Sequence, residues 1–316
     1  MARSAASQYQ RGRPVAPVRL NRGVSRREAL TGFLFLSPNL FGFIVFGIFP
    51  IAFVIYLSFC SWGNFTQFPH WIGLDNYGGL KDDPLFWNSI WRTLEFVVIV
   101  IPLQTLLSLG LALLLNQRLP GMKLFTPLFI IPWITTPVVV GFIWAWLYQN
   151  DFGLINTLLS DLNLPTQGWL TDDAWTIPAT VMVTAWQFAG YNMMFLLAGL
   201  QGIPDHLYEA AAIDGAPRFR QHISITLPML RPVLYFTIIT SVIGSFQIFD
   251  IVYNMFQGAP PDSARVYYFY LYQKAFVFAG NMGSACAMAV LLVLALVVVT
   301  WTQMRVYGEG VTYELG

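Results

Sequence analysis

The chain is 316 residues long, 56% hydrophobic and only 10% charged, with a net charge of +1 and 26 phenylalanines. A water-soluble domain carries about 25% charged residues, so a soluble globular protein is excluded and an integral membrane protein is expected. The near-zero net charge gives no reason to expect an acidic partner, and nucleic acid is not expected as one.

Residues 1–28 hold seven arginines and no acid before Glu28. Residues 1–29 are therefore expected to be a disordered basic tail that touches lipid headgroups and helps set topology. The first apolar run, 33–59, is too long for a signal-peptide core and no small-residue cleavage site follows it. It is expected to persist as a first transmembrane helix over 30–60. Residues 61–90 are rich in Gly, Asn, Asp and aromatics and read as an external loop long enough to pack on a partner.

Five further runs, 91–115, 124–149, 177–200, 231–254 and 283–304, approach or exceed the roughly 20 residues that cross the hydrocarbon core. The expected fold class is all-α, with six transmembrane helices. Pro102 is expected to interrupt the second span, and Pro127, Pro132 and Pro137 to kink or break the third. Trp and Tyr gather near span ends, among them Trp62, Trp87, Trp144, Tyr148 and Trp301, as an interfacial belt requires. The segments 150–176 and 255–281 are polar or turn-rich and read as loops. Residues 307–316 form a short tail. Cys60 and Cys286 lie in or beside apolar segments with no metal-ligand spacing, and are expected to be small apolar filler. His70, His206 and His222 lie far apart in loops and are assigned to no metal. Arg92 stands three residues before Glu95, close enough on a helix to pair with it.

Thirteen of the seventeen Lys and Arg fall in one set of alternate segments: Arg3, Arg11, Arg13, Arg19, Arg22, Arg26, Arg27, Arg118, Lys123, Arg218, Arg220, Arg231 and Arg305. Lys81, Arg92, Arg265 and Lys274 make up the other set. The asymmetry places both termini and the 201–230 segment in the cytoplasm.

That segment is polar between two apolar blocks. Pro204 suits the first turn of a helix and Gly215 its stop, which predicts a helix over 205–214. Leu207, Ala210, Ala211 and Asp214 recur at i, i+3, i+4 and i+7, giving a small apolar face flanked by Glu209. Alanines permit close backbone approach and suit a groove on another protein. They lack the large side chains that anchor an interfacial helix in lipid. A second short helix over 217–224 is expected to turn the chain back to Leu227-Pro228 and the fifth span.

The spacing Glu209-Ala210-Ala211, Gly215, then Ile225, Leu227 and Pro228 resembles the Glu-Ala-Ala motif of binding-protein-dependent ABC importers. The flanking run from Leu197 to Ala216, the Gly73–Tyr77 block, the stretch 152–159 and the run 249–260 are similar to the sugar-importing, maltose-type permeases. The likeness covers nearly the whole chain after about residue 30. Two places depart from the pattern: Gln257-Gly258-Ala259-Pro260, and Trp91-Arg92-Thr93. The resemblance implies a type I ABC permease fold over 91–306 with its coupling hairpin at 201–230, in a bacterial or archaeal cell membrane. It implies a sugar substrate, a second permease subunit, two ATP-binding cassette subunits and an extracytoplasmic solute-binding protein. It also implies that Glu209, Ala210, Ala211, Asp214, Gly215, Ile225, Leu227 and Pro228 form the coupling surface. The sequence contains no Gly-x4-Gly-Lys-Ser/Thr cradle for phosphates. ATP and magnesium are therefore expected on the partner subunit, with no cofactor and no catalytic residue on this chain.

Polar side chains inside spans are costly and mark pathways. By helical rise, Gln187 in the fourth span and Ser241 in the fifth fall near mid-depth, where a solute would be held. Tyr191 and Asn192 share the fourth span. Ser241 and Ser245 make one stripe, with Phe246 or Tyr191 available to stack on a sugar ring. Gln247, Asp250 and Asn254 fall on another face of a straight helix, and Asp250 is expected close to the outer surface. In the related permeases, the positions of Phe188, Ala189, Asn192, Ser241 and Ser245 line the cavity. Two other readings stay open at this point: an ion-coupled secondary transporter, and an ABC importer for a polyol or glycerol phosphate. A membrane-embedded enzyme lacks any buried acid–base or zinc set.

Overall fold

The computed structural model describes residues 26–63, 68–117, 122–278 and 282–308. Most of the expected basic tail, Arg118 and the chain after Gly308 lie outside them. The chain divides into two units, Met1–Phe53 and Val54–Gly316.

Helix α1 (Arg26–Phe43) passes through a π turn, Ile44–Ile48, into α2 (Phe49–Leu57), whose residues 54–57 are counted with the second unit. The widened turn has a local cause. Pro50 has no N–H, and its ring collides with the carbonyl four residues back. The donor just before it, the Phe49 N–H, instead bonds the Ile44 carbonyl five residues back. Phe33, Phe35, Phe46 and Phe49 are exposed, and only 6% of the apolar window in Leu30–Leu57 is buried.

After the end of α2 the second unit forms a two-stranded antiparallel ladder, β1 (Cys60–Ser61) on β2 (His70–Trp71), pairing Cys60 with Trp71. Helix α3 (Asp75–Lys81) leads into α4 (Pro84–Leu115). Asp83 caps α4 by accepting from the Leu85 and Phe86 amides, with Pro84 at the first helical position, where its missing N–H is harmless. The interruption expected at Pro102 does not occur. Helix α4 runs through it, held by the packing of a later long helix along its length.

The third span is broken. Helix α5 (Met122–Ile134) and α6 (Pro137–Leu147) meet at 93°. Pro127 and Pro132 stay inside α5, and the break falls at Thr135-Thr136, where Pro137 opens the new helix. Helix α7 (Leu154–Asp161) follows, then α8 (Asp173–Gln201), the helix that packs along α4. It is the most internal span, with 56% of its window buried. Thr180 and Thr184 donate to the carbonyls four residues back, at 2.8 Å each, so these hydroxyls cost little inside the packing. At Gly190 a β-carbon would lie 1.8 Å from the Phe129 carbonyl oxygen. Only glycine lets α5 come this close.

Helix α9 (Asp205–Ile213) and α10 (Arg218–Gln221) form the polar segment. The second short helix expected over 217–224 starts at Arg218 but does not end before the fifth span. From Arg218 the chain stays helical through a π turn, His222–Thr226, into α11 (Leu227–Phe246). Pro228 repeats the logic of Pro50: the Leu227 N–H bonds the His222 carbonyl five residues back. After α11 come α12 (Asp250–Met255), α13 (Tyr267–Tyr272), a π turn at Gln273–Val277, and α14 (Met282–Gly308). Among the described residues, five helices are long and apolar enough to cross a membrane, or six when the bent pair counts as one.

Segments read as loops thus carry α3, α7 and α13. Each buries side chains: Leu80 and Asn76 in α3, Asn156 in α7, and Tyr267, Phe269 and Tyr270 in α13. A polar clamp fixes one of them. Lys274 pairs with Asp83 at 2.8 Å and the Tyr270 hydroxyl donates to the same carboxylate. Burial raises the Asp83 pKa, but the hydrogen bonds from Lys274 and Tyr270 outweigh it and hold the carboxyl below its usual range. Arg92 and Glu95 pair at 2.7 Å. Cys60 and Cys286 are buried free thiols.

Candidate functional site

Polar chemistry gathers in two places. In the first, α8 and α11 pack together and the Asn192 amide donates to the Ser241 hydroxyl at 2.9 Å. A cavity of about 280 Å³ opens there. Helix α8 lines it with Thr184, Phe188, Tyr191 and Asn192, and α11 with Thr240, Ser241, Gly244 and Ser245. Gln104 of α4 and Pro137 at the bend of the third span complete the wall on that side.

The remaining wall comes from a helix break. Helix α11 stops at Phe246, with the Gln247 amide bonded back to the Gly244 and Ser245 carbonyls. Phe249 takes φ −141°, and α12 starts at Asp250. The straight-helix expectation for 231–254 therefore fails. Gln247, Phe249 and Asp250 join Ser241 and Ser245 around the same cavity. Asp250 opens α12 at the wall of this cavity. It is the one carboxylate among the lining residues, and it is exposed. Asn254 instead turns inward and donates to the Asp250 carbonyl at 2.7 Å.

Three of the eight expected solute residues lie off the cavity. Gln187 is 1% exposed, and its amide donates to the Thr135 carbonyl at 3.2 Å. It serves an acceptor left free at the bend of the third span. Ala189 is buried in the packing of α8. Phe246 turns into an apolar groove with Tyr77, Phe86 and Tyr267, because adjacent helical residues point about 100° apart. Tyr191 lines the cavity, yet one face of its ring already stacks on Trp133 at 4.7 Å. Phe188 is half-buried at the wall. Sequence reasoning passes over Gln104 and sets Asp250 on a different face from Ser241. A Gly244-to-Asp250 stretch that ends one helix and starts another with an acid in its first turn was the signal available for Asp250.

The second place is the polar segment. Helix α9 ends in a Schellman arrangement, with the Ala216 amide bonded to the Ala211 carbonyl at 2.9 Å and the Gly215 amide to the Ala212 carbonyl at 3.1 Å. Gly215 has φ +75°, the left-handed conformation that this turn requires. Glu209, Ala210 and Asp214 are exposed and Ala211 is half-buried. Leu207 does not share their face. It packs inward with Tyr208 and Ile225 on a buried cluster of Leu196, Leu200, Ile203 and Leu230. Leu227 is exposed and Pro228 half-buried at the start of α11. Two large apolar side chains that sequence reasoning passed over project into solvent: Ile213 at 87% exposure and Phe219 at 75%. Exposed bulk of this kind beside a small-residue helix is the mark of a protein-docking surface.

Comparison with known proteins agrees with this geometry. Residues 104–307 match the model of the family described as binding-protein-dependent transport system inner membrane component. The lactose transport system permease protein LacF of Rhizobium radiobacter is 33% identical over 286 residues, covering 89% of this chain and 95% of that protein. The trehalose/maltose transport system permease protein MalF of Thermococcus litoralis is 36% identical over 234 residues, covering 74% and 79%. In fold, the chain is similar to a subunit of a bacterial ABC transporter involved in import of the acidic polysaccharide alginate. The TM-score is 0.79 at 22% identity, over 90% of this chain and 96% of that one. This chain belongs to the family of binding-protein-dependent transport system inner membrane components.

Proposed function

We propose that this chain is a membrane-spanning permease subunit of an ATP-driven importer that moves a sugar, as a mono- or oligosaccharide, into the cytoplasm. Its assembly would comprise a second permease, two ATP-binding cassette subunits that hold ATP and magnesium, and an extracytoplasmic binding protein that delivers the sugar. The polar segment with α9 faces the cytoplasm, as do both termini, in the cell membrane of a bacterium or archaeon. The observation that carries the reading is α9. A helix with exposed alanines, Glu209 and an 87%-exposed Ile213 has a surface built for another protein, and the motif on it is the family's coupling motif.

The cavity suits a saccharide. Its hydroxyls and amides, on Ser241, Ser245, Asn192 and Thr184, alternate with the rings of Phe188 and Tyr191, the mixture that binds a polyhydroxylated ring. At about 280 Å³ it sits at the small end for a ligand pocket, which fits a site completed by a second permease. Closure of the ATPase pair would push α9 and swing α11 against α8, changing access to the cavity.

The test is co-expression with a candidate ATPase pair, second permease and binding protein from the same organism, followed by reconstitution into liposomes. Uptake of a sugar that requires ATP and the binding protein is the expected result. Uptake by this chain without an ATPase, driven by a proton or sodium gradient, would overturn the reading.

A further inference from the structure

Helix α9 carries its docking side chains on one face and must transmit their displacement through the other. The inner face presents Leu207 and Tyr208. The Tyr208 hydroxyl lies 2.9 Å from the Thr226 hydroxyl, and Thr226 is 2% exposed. The same hydroxyl lies 3.3 Å from His222 Nδ1. Thr226 closes the π turn His222–Thr226, and the next residue begins α11, the helix that carries Thr240, Ser241 and Ser245 to the cavity.

We propose that Tyr208 and Thr226 are positioning residues: their hydrogen bond is the strut that carries displacement of α9 into α11. The inference rests on the importer reading above. The apolar packing of Leu207 and Ile225 on the same buried cluster resists separation but allows sliding, because dispersion has no preferred direction. A hydrogen bond between two hydroxyls is directional and short, so it fixes how far α9 can rotate against the start of α11. The π turn makes this the natural place to deliver the motion. Its five-residue hydrogen bond runs from the Leu227 amide to the His222 carbonyl, one residue before Pro228, which has no amide of its own, and single π turns inside helices are frequent at functional sites. Neither Tyr208 nor Thr226 belongs to the exposed docking face or lines the cavity, so neither is needed for holding the ATPase or the sugar.

The experiment uses the whole reconstituted importer. Uptake of labelled lactose, trehalose, maltose and arabinotriose is measured first, and the sugar that the wild type transports is carried forward. Tyr208→Phe and Thr226→Val each remove the hydrogen bond with little change in volume. The expected result is a two- to tenfold fall in sugar molecules moved per ATP hydrolysed, about the size a neutral hydrogen bond supports. ATPase rate and complex assembly should stay near wild type. The double variant should be no worse than the weaker single variant, and Thr226→Ser should restore the ratio. An unchanged ratio in both single variants overturns the strut. So does a loss of transport matched by equal loss of assembled complex. If the wild type moves none of the sugars with ATP, the importer reading fails first and the strut with it.

Discussion

The hairpin and the cavity handle polarity in opposite ways. Around α9 the chain leaves its interaction groups unpaired: Ile213 and Phe219 stand in solvent, and Glu209 is exposed among alanines. Where α8 and α11 line the cavity, polar side chains are tied down within the chain, Asn192 to Ser241, Thr184 to Thr180 and Thr240 to Phe236. A surface made for another protein keeps its binding energy in reserve until the partner arrives. A passage through lipid cannot leave polar groups unpaired when empty, since each would cost several kcal/mol. The two sites should therefore respond to mutation differently: the hairpin by losing its partner, the cavity by losing its solute.

The largest effect expected is at Glu209. Glu209→Lys reverses a charge on a docking face and should lower ATP-driven uptake by about 100-fold, in line with disruption of a charge pair at an interface. Membrane insertion and sugar binding should be unaffected. Normal uptake would remove the hairpin from the coupling path. Next comes Ile213→Asp. An exposed apolar anchor at an interface is commonly worth about 2 kcal/mol, so affinity for the ATPase subunits should fall about 30-fold, as read by pull-down of the assembled complex. Equal pull-down by wild type and variant would mean that Ile213 faces no partner.

The contrast also explains what the sequence could reveal. Both ends of α9 are written locally, in Pro204 and in Gly215. The helix was legible to within a residue, expected over 205–214 and found at Asp205–Ile213. Which side of it faces outward was less legible, because Leu207 is drawn inward by a cluster that includes Ala112, Leu115 and Leu230 from distant segments. The cavity depends on longer-range facts. Ser241 and Ser245 share a stripe within α11, and that arithmetic holds while the helix lasts. It fails past Phe246, where the chain breaks and returns Gln247 and Asp250 to the same space. Gln187 has the depth and chemistry of a solute ligand. The bend in the third span decides its role instead, by presenting the Thr135 carbonyl to it.

At the cavity a smaller and more selective effect is expected. Asn192→Leu keeps bulk but removes the donor to Ser241. It should weaken sugar binding by about tenfold, the size of one or two lost hydrogen bonds, while ATPase docking is unchanged. If docking falls with binding, the two regions are not separable and the contrast between them breaks down.

The smallest effect belongs to the clamp of Asp83, Lys274 and Tyr270, which serves neither region. Lys274→Met should destabilise the protein at pH 7 by about 1 kcal/mol, since the pair is mostly but not fully withdrawn from water. The dependence on pH has a definite sign. The folded Asp83 carboxyl titrates below its usual range, so its contribution is complete above the ordinary aspartate value, about 4. It is lost as the pH falls through the lower, folded value. The melting-temperature gap between wild type and Lys274→Met should therefore be widest near neutrality and close in strong acid. A gap that stays constant into acid would mean that Lys274 acts by packing over the Tyr270 ring, 5.3 Å from its centroid, rather than through the carboxylate.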